Sequence, residues 1–343
     1  MKVGFIAPQS IAAVNGGVRT QALMTAKHLK ELGIEVYFVS PWEDISKVEL
    51  DIFHVFTASA ENHGIISRLK EQEKKIVLSP VMYSNRNSST IRNFLNVEEK
   101  LPLSSYGIRS EFTIKKELCL LADLLLPNTT SEASMIEEAF KIPRARLKVV
   151  PNGVEKRFSE ANPDIFIEKM GFNDFILTVG QVSAERKNIL KLLEAHFGID
   201  TKLVIIGNFS NSEYSNKCRA LADNNPNIHL MNSLEHHSDL LSSAYAASKV
   251  FVLPSQFETP GISALEAGLA GANVVITEVG GTKDYFENFV EYISPSSISS
   301  IKNGITKALN SSRSKDLKNH ILSKFTWDKV AEQTLKEYKE VLT

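Results

Sequence analysis

A chain of 343 residues exceeds what a single core usually organises and has room for two domains of ordinary size. Its 43% hydrophobic and 23% charged residues fit a globular protein and exclude a disordered or fibrous one. A formal net charge of −1 gives no global basic footprint, so nucleic acid is not an expected partner.

Short runs rich in Val, Ile, Leu and Phe alternate with longer helical patterns down the chain, the signature of βαβ units and parallel sheets. In the first half the pattern predicts strands at 3–8, 35–40, 52–57, 76–79, 124–127 and 148–150. A first helix is expected over 18–32, with Gly33 as its stop. Pro151-Asn152-Gly153-Val154 and the polar stretch to Pro163 read as a turn and an interdomain linker. The second half repeats the alternation, with strands at 175–179, 202–207, 228–231, 250–254, 274–277 and 291–293. The expected fold class is therefore α/β, with two Rossmann-like domains. In open parallel sheets ligands bind beyond the carboxyl ends of the strands, so two such domains facing each other would line one cleft with loops.

Cys119 and Cys218 fall in helical segments of different domains, which suggests neither a disulfide framework nor a zinc site and fits a reducing cytoplasm. The opening run Val3 to Pro8 is too short for a secretory apolar region, so export is not expected. The apolar stretch from Leu118 to Leu126 is interrupted by Asp123 and is too short to span a membrane, which leaves peripheral contact as the expected form of any membrane association.

Three loops carry the candidate chemistry. After the first strand, Asn15-Gly16-Gly17 precedes a helix, where close backbone approach and the helix dipole suit a diphosphate. A tight turn with a helix cap explains the same residues. No G-x-G-x-x-G follows either leading strand, which disfavours a dehydrogenase. After the first strand of the second half comes Gly180-Gln181-Val182-Ser183-Ala184-Glu185-Arg186-Lys187-Asn188. Lys187 near a helix start opposes the macrodipole, so a nearby polyanion or plain solvation must account for it.

The third loop runs Glu258-Thr259-Pro260-Gly261-Ile262-Ser263-Ala264-Leu265-Glu266. Thr259 is an apt N-cap and Pro260 an apt first helical residue, which would aim the amides of Gly261, Ile262 and Ser263 at the crevice. Glu266 lies in a stretch apolar enough to be core, and an unpaired buried carboxylate costs several kcal/mol. A ribose diol would satisfy it, while Glu258 would accept from sugar hydroxyls. Capping of backbone groups by both glutamates is the competing account.

Together these residues resemble glycosyltransferase family 4, the retaining family with the GT-B fold. The resemblance rests on the E-x7-E spacing from Glu258 to Glu266, Gly16-Gly17, Pro151-Asn152-Gly153-Val154, Lys187-Asn188, Gly280-Gly281-Thr282 and Phe325-Thr326-Trp327. It implies an acceptor-binding domain over 1–155, a nucleotide-sugar domain over 156–326 and a final helix over 327–343 crossing back to the first domain. It further implies a hexosyltransferase that uses a UDP- or GDP-sugar and a glycan or lipid-linked acceptor, as in cell-surface polysaccharide synthesis.

By the same resemblance, Gly16 and Gly17 would contact donor phosphate or the transferred sugar, and Lys187 would neutralise the diphosphate. Glu258 would hold the sugar hydroxyls, Glu266 the ribose, and the amides of Gly261 and Ile262 beside Pro260 would join them. No D-x-D pair occurs in the sequence, so no metal cofactor is expected. The chain departs from the family pattern in two places. Gln181 stands after Gly180 where an arginine is usual, with Arg186 as a substitute, and no histidine follows the fourth strand. His54 is a substitute for that histidine or a packed strand residue. The basic residues Arg86, Arg92, Lys100, Arg109, Lys115 and Lys116 form an anionic-lipid contact or a solvated face. The rival functions are a nucleotide-sugar epimerase or phosphorylase on the same fold and an inactive sugar-nucleotide binding module.

Overall fold

The computed structural model describes residues 1–13, 16–84, 86–101, 107–313 and 315–343. It divides into two compact units, one made of Met1–Gly153 with Trp327–Thr343 and the other of Val154–Thr326.

The first unit holds a parallel sheet of β1 (Lys2–Ile6), β2 (Glu35–Phe38), β3 (Ile52–Phe56), β4 (Ile76–Ser79) and β5 (Leu124–Leu125), ordered β2-β1-β3-β4-β5. Every residue of β3 and β4 is buried, because helices cover both faces of the sheet. Those helices are α1 (Gly17–Glu31), α2 (Ala60–Glu71), α3 (Ser88–Glu98), α4 (Glu111–Leu121) and α5 (Thr130–Phe140). Ala22, Ala26 and Leu29 recur at helical spacing on α1 and enter the core, and Gly33 at φ +82° ends the run.

The expected strand at 148–150 is a correction. Only isolated pairing with β5 occurs there, through the Leu125–Leu147 bridge and the Lys148 and Val150 amides donating to the Leu125 and Pro127 carbonyls. Pro127 and Pro151 lack the N–H that a longer ladder would need.

The last helix of the chain, Trp327–Leu342, belongs to this first unit. Its buried residues Trp327, Val330, Ala331, Thr334, Glu337 and Tyr338 form one stripe, and its apolar members share a core with Ala22, Ala26 and Leu29. Gly153 is required beside it, because a Cβ there would sit 2.6 Å from the Trp327 ring.

The second unit repeats the plan with β6 (Ile176–Val179), β7 (Leu203–Ile206), β8 (Ile228–Met231), β9 (Val250–Leu253), β10 (Asn273–Thr277) and β11 (Glu291–Ile293). Their order is β11-β10-β9-β6-β7-β8, again all parallel. Its helices are α6 (Asp164–Met170), α7 (Ile189–His196), α8 (Glu213–Asp223), α9 (Asp239–Ala247), α10 (Ile262–Leu269), α11 (Thr282–Phe286), α12 (Ile298–Asn310) and α13 (Lys315–Lys324), so that the final helix is α14. Strand order reverses between β6 and β9, and a crevice at such a switch point lies beyond their carboxyl ends. The loops after those two strands run over 180–188 and 254–261.

Cys119 and Cys218 are buried free thiols on α4 and α8. Among the described residues no helix is long and apolar enough to cross a membrane.

Candidate functional site

The loop after β9 is fixed before any side chain is considered. The Glu258 amide donates to the Val279 carbonyl at 3.1 Å, and the Gly281 amide donates to the Glu258 carbonyl at 2.8 Å. This parallel bridge explains Gly280. Gly280 sits at φ +103°, and a Cβ on it would run into the Glu258 carbonyl oxygen.

Downstream, Gly261 adopts φ +79°, where a Cβ would also lie 2.9 Å from Leu253 Cδ2. The helix therefore starts at Ile262 with Gly261 as its N-cap. The expected cap at Thr259 and start at Pro260 are corrected accordingly, since the bridge and the left-handed glycine consume those residues as a turn. The Gly261 carbonyl accepts from Ala264 and Leu265, while Ile262 and Ser263 occupy the first helical positions, whose amides have no intrahelical acceptor.

The loop after β6 is stitched to the same place. A 3-10 turn over Glu185–Lys187 ends at Asn188, which is left-handed at φ 60°. The buried Asn188 amide group donates to the carbonyls of Pro254 at 3.0 Å and Pro295 at 2.8 Å, and the Gln256 amide donates to the Arg186 carbonyl at 2.7 Å. Gly207 is held to glycine because a Cβ there would collide with the Gly180 carbonyl. Gln181 is exposed, and its carbonyl accepts from the Ala184 amide.

These contacts bring two predicted residues together. Lys187 Nζ lies 2.6 Å from Glu258 Oε1, which also accepts from Ser255 Oγ at 2.6 Å. Arg186 NH1 stands 3.9 Å from the same oxygen, half exposed, with its guanidinium 5.7 Å from the Phe257 ring centre. Within the protein itself the charge of Lys187 is met by the carboxylate of Glu258. Lys187 and Glu258 are 15% and 9% exposed at their side chains, so each charge is compensated by the other.

Glu266 on α10 is 4% exposed, as its apolar surroundings predicted. Its partners are protein groups: Tyr245 Oη donates to Oε2 at 2.7 Å, and His236 Nε2 lies 2.7 Å from Oε1. The burial of Glu266 is therefore satisfied by protein groups and does not by itself call for an incoming diol. An ionised carboxylate still has about four acceptor positions, and these contacts use two. The hydrogen bond to Glu266 raises the pKa of His236 above its ordinary value, and burial beside that carboxylate pushes the Tyr245 phenol well up. Neither His236 nor Tyr245 was singled out from sequence. The available signal for His236 was its place just past the carboxyl end of β8.

The remaining candidates lie in the first unit. Gly16 caps α1 in extended conformation and Gly17 opens the helix, with nothing within 4 Å of where its Cβ would be. Asn15 is outside the described residues. His54 is a packed core residue, bonded to Tyr338 Oη at 2.5 Å and Ser79 Oγ at 2.9 Å, and burial lowers its pKa to about 3. Arg109, Lys115 and Lys116 pair with Glu117, Glu111 and Glu99, and Arg92 donates to the Glu138 carbonyl.

One group the sequence did not flag is Glu132 on α5. It is buried, and its two oxygens accept from the Met82 amide at 2.6 Å and the Asn128 amide at 2.8 Å. Burial pushes its carboxyl up to about 7 against the pull of those amides.

Comparison with known proteins bears on this arrangement. The family described as glycosyl transferases group 1 matches residues 165–323. A curated glycosyltransferase of Methanocaldococcus jannaschii is 28% identical over 235 residues, which cover 61% of this chain and 59% of that protein. The chain spans between 50% and 59% of the length of the first curated relatives it matches. Among solved structures, sucrose-phosphate synthase from Thermosynechococcus elongatus superposes with a TM-score of 0.77 at 15% identity, covering 99% of this chain and 98% of the other. Anabaena HepE in complex with UDP and glucose superposes with a TM-score of 0.69 at 14% identity, covering 99% of this chain and all of the other, 100%.

Proposed function

We propose that this chain, which is a GT-B protein of the glycosyltransferase family 4 type, is a retaining, metal-independent hexosyltransferase using a UDP- or GDP-sugar. The observation that carries the reading is the Lys187–Glu258 pair at the switch point of the second unit. A diphosphate entering there offers Lys187 a stronger anion than Glu258. Released from the lysine, Glu258 is free to accept from hydroxyls of the transferred sugar.

Arg186 supplies a second positive charge where the family places an arginine at the position of Gln181. The amides of Ile262 and Gly261, with Pro260 shaping the turn, add dipoles aimed at a phosphate oxygen. Glu266 uses its remaining acceptor positions for the ribose hydroxyls. Gly16 and Gly17 provide a helix N-terminus for the donor phosphate or sugar, and Gly180 keeps the approach to Lys187 open.

In the reaction the acceptor oxygen bonds to the anomeric carbon on the face from which the diphosphate departs. The acceptor proton passes to the departing phosphate oxygen, so no protein base is needed. Lys187 and Arg186 then act by stabilising negative charge as it grows on the leaving group. The UDP and glucose bound to HepE favour a UDP-hexose as the first donor to try. The acceptor is a glycan or a lipid-linked sugar, with the first unit as its binding domain and the membrane met only peripherally.

The test is UDP release from UDP-hexoses, with and without a chelator, by wild type and Lys187→Ala. The variant is expected to lose about 2–4 kcal/mol of transition-state stabilisation, or roughly 30- to 1000-fold in kcat/KM. Equal rates in the two proteins would remove the assigned role, and loss of wild-type turnover on chelation would remove metal independence. Product formed without any acceptor or water would point to an epimerase instead.

A further inference from the structure

Where the second unit begins, a short 3-10 turn over Lys156–Glu160 follows Glu155, and the loop after β8 places His236 and His237 against it. Glu155 Oε1 lies 3.5 Å from His236 Nδ1 and 3.7 Å from His237 Nδ1. One donor atom from each of the three residues falls within 4.8 Å of the other two. These separations are long for hydrogen bonds, and Glu155 Oε1 is a buried oxygen with no hydrogen-bond partner. They are close to what a metal requires. Bonds of about 2.0–2.1 Å in tetrahedral geometry put neighbouring donor atoms about 3.3–3.4 Å apart.

The surroundings orient each donor. His236 turns Nε2 to Glu266 at 2.7 Å, which fixes the ring and leaves Nδ1 toward Glu155. A histidine held by a carboxylate through one nitrogen while the other faces outward is the usual arrangement behind a metal-bound imidazole. Arg157 stands 3.4 Å from Glu155 Oε2, stacks on Phe158 and bonds the His236 carbonyl, so it occupies the other carboxylate oxygen and leaves Oε1 for the cluster. With neutral histidines, the carboxylates of Glu155 and Glu266 outweigh the single guanidinium of Arg157, and the corner is net negative.

From this geometry we infer that Glu155, His236 and His237 form a binding site for a borderline transition-metal cation of the zinc type, with Glu266 as the group that orients His236. Two imidazoles and one carboxylate suit zinc, cobalt or nickel and not magnesium, which takes oxygen ligands. The ion would tie the opening segment of the second unit to the loop after β8. It plays no part in the chemistry at Lys187, and the inference does not rest on the glycosyltransferase reading.

Isothermal titration of the chelator-treated full chain with zinc chloride, at a pH where histidine is neutral, tests it. Saturable binding of one equivalent is expected, with no matching response to magnesium chloride. His237 is 77% exposed at its side chain, so His237→Ala should fold normally, and it should weaken zinc binding by at least about tenfold. Glu155→Gln should do the same. Failure of wild type to bind zinc, or unchanged affinity in both variants, would overturn the site.

Discussion

Glu132 in the first unit and Glu258 in the second are both buried carboxylates at the carboxyl ends of parallel strands, yet they are satisfied in opposite ways. Glu132 accepts from two main-chain amides, Met82 and Asn128, which belong to loops after neighbouring strands. Glu258 is satisfied by the side chains of Lys187 and Ser255. A main-chain donor cannot leave without moving the backbone, so Glu132 acts as a fastener between loops. Side-chain donors can turn away, so the partners of Glu258 can be replaced by a ligand. Glu266, held by Tyr245 and His236, belongs with Glu258.

The comparison makes ordered predictions. The largest effect on activity is expected for Glu258→Gln, which should reduce kcat/KM with a UDP-hexose about a hundredfold, near 2.7 kcal/mol. A large stability loss with normal activity would place Glu258 with Glu132. Next is Glu132→Ala, which strands two buried amides and should lower stability by about 1–3 kcal/mol, measured by urea denaturation.

The same residue gives a pH signature. Its folded carboxyl titrates near 7 against an ordinary 4.5, so between those values the folded state keeps a proton that the unfolded chain has lost. The contribution to stability is complete below pH 4.5 and is lost as pH rises through 7. Denaturation curves across that range should show this fall in wild type and a flatter dependence in Glu132→Gln. A smaller change is expected for Glu266→Gln, about tenfold weaker UDP binding by calorimetry, since one charged acceptor is replaced by a neutral one. The smallest is Tyr245→Phe, which should cost about 1 kcal/mol of stability and leave UDP affinity within a few-fold. If Tyr245→Phe weakened UDP binding more than Glu266→Gln, the tyrosine would be a direct ligand contact and not a support.

Much of the fold was readable because fully buried parallel strands are short continuous apolar runs bounded by turns, as in Val250–Leu253 and Ile76–Ser79. The segment at 148–150 misled because the same apolar pattern does not reveal whether a neighbouring strand has donors to offer, and Pro127 does not. The site was legible where a motif is local, as with Glu258 and Lys187. It was obscure where the decisive partner is distant in sequence. Nothing around Glu266 discloses that His236, thirty residues earlier, reaches its carboxylate, and nothing at Thr259 or Pro260 discloses that pairing of Glu258 with Gly280 delays the helix to Ile262. Capping preferences describe a helix end in isolation, and here a long-range backbone bridge overrides them.

The placement of α14 also has a bearing on biogenesis. The chain interrupts its first unit at Gly153, completes the whole of Val154–Thr326, and only then supplies the segment that closes the earlier core. During vectorial synthesis the contiguous second unit can mature as soon as it emerges, whereas in the first unit the core around Ala22, Ala26 and Leu29 of α1 stays open until Trp327 and Tyr338 arrive. The end of the chain made first is therefore the one finished last, and a nascent product stopped before Trp327 would carry an exposed greasy surface and be a natural client for chaperones.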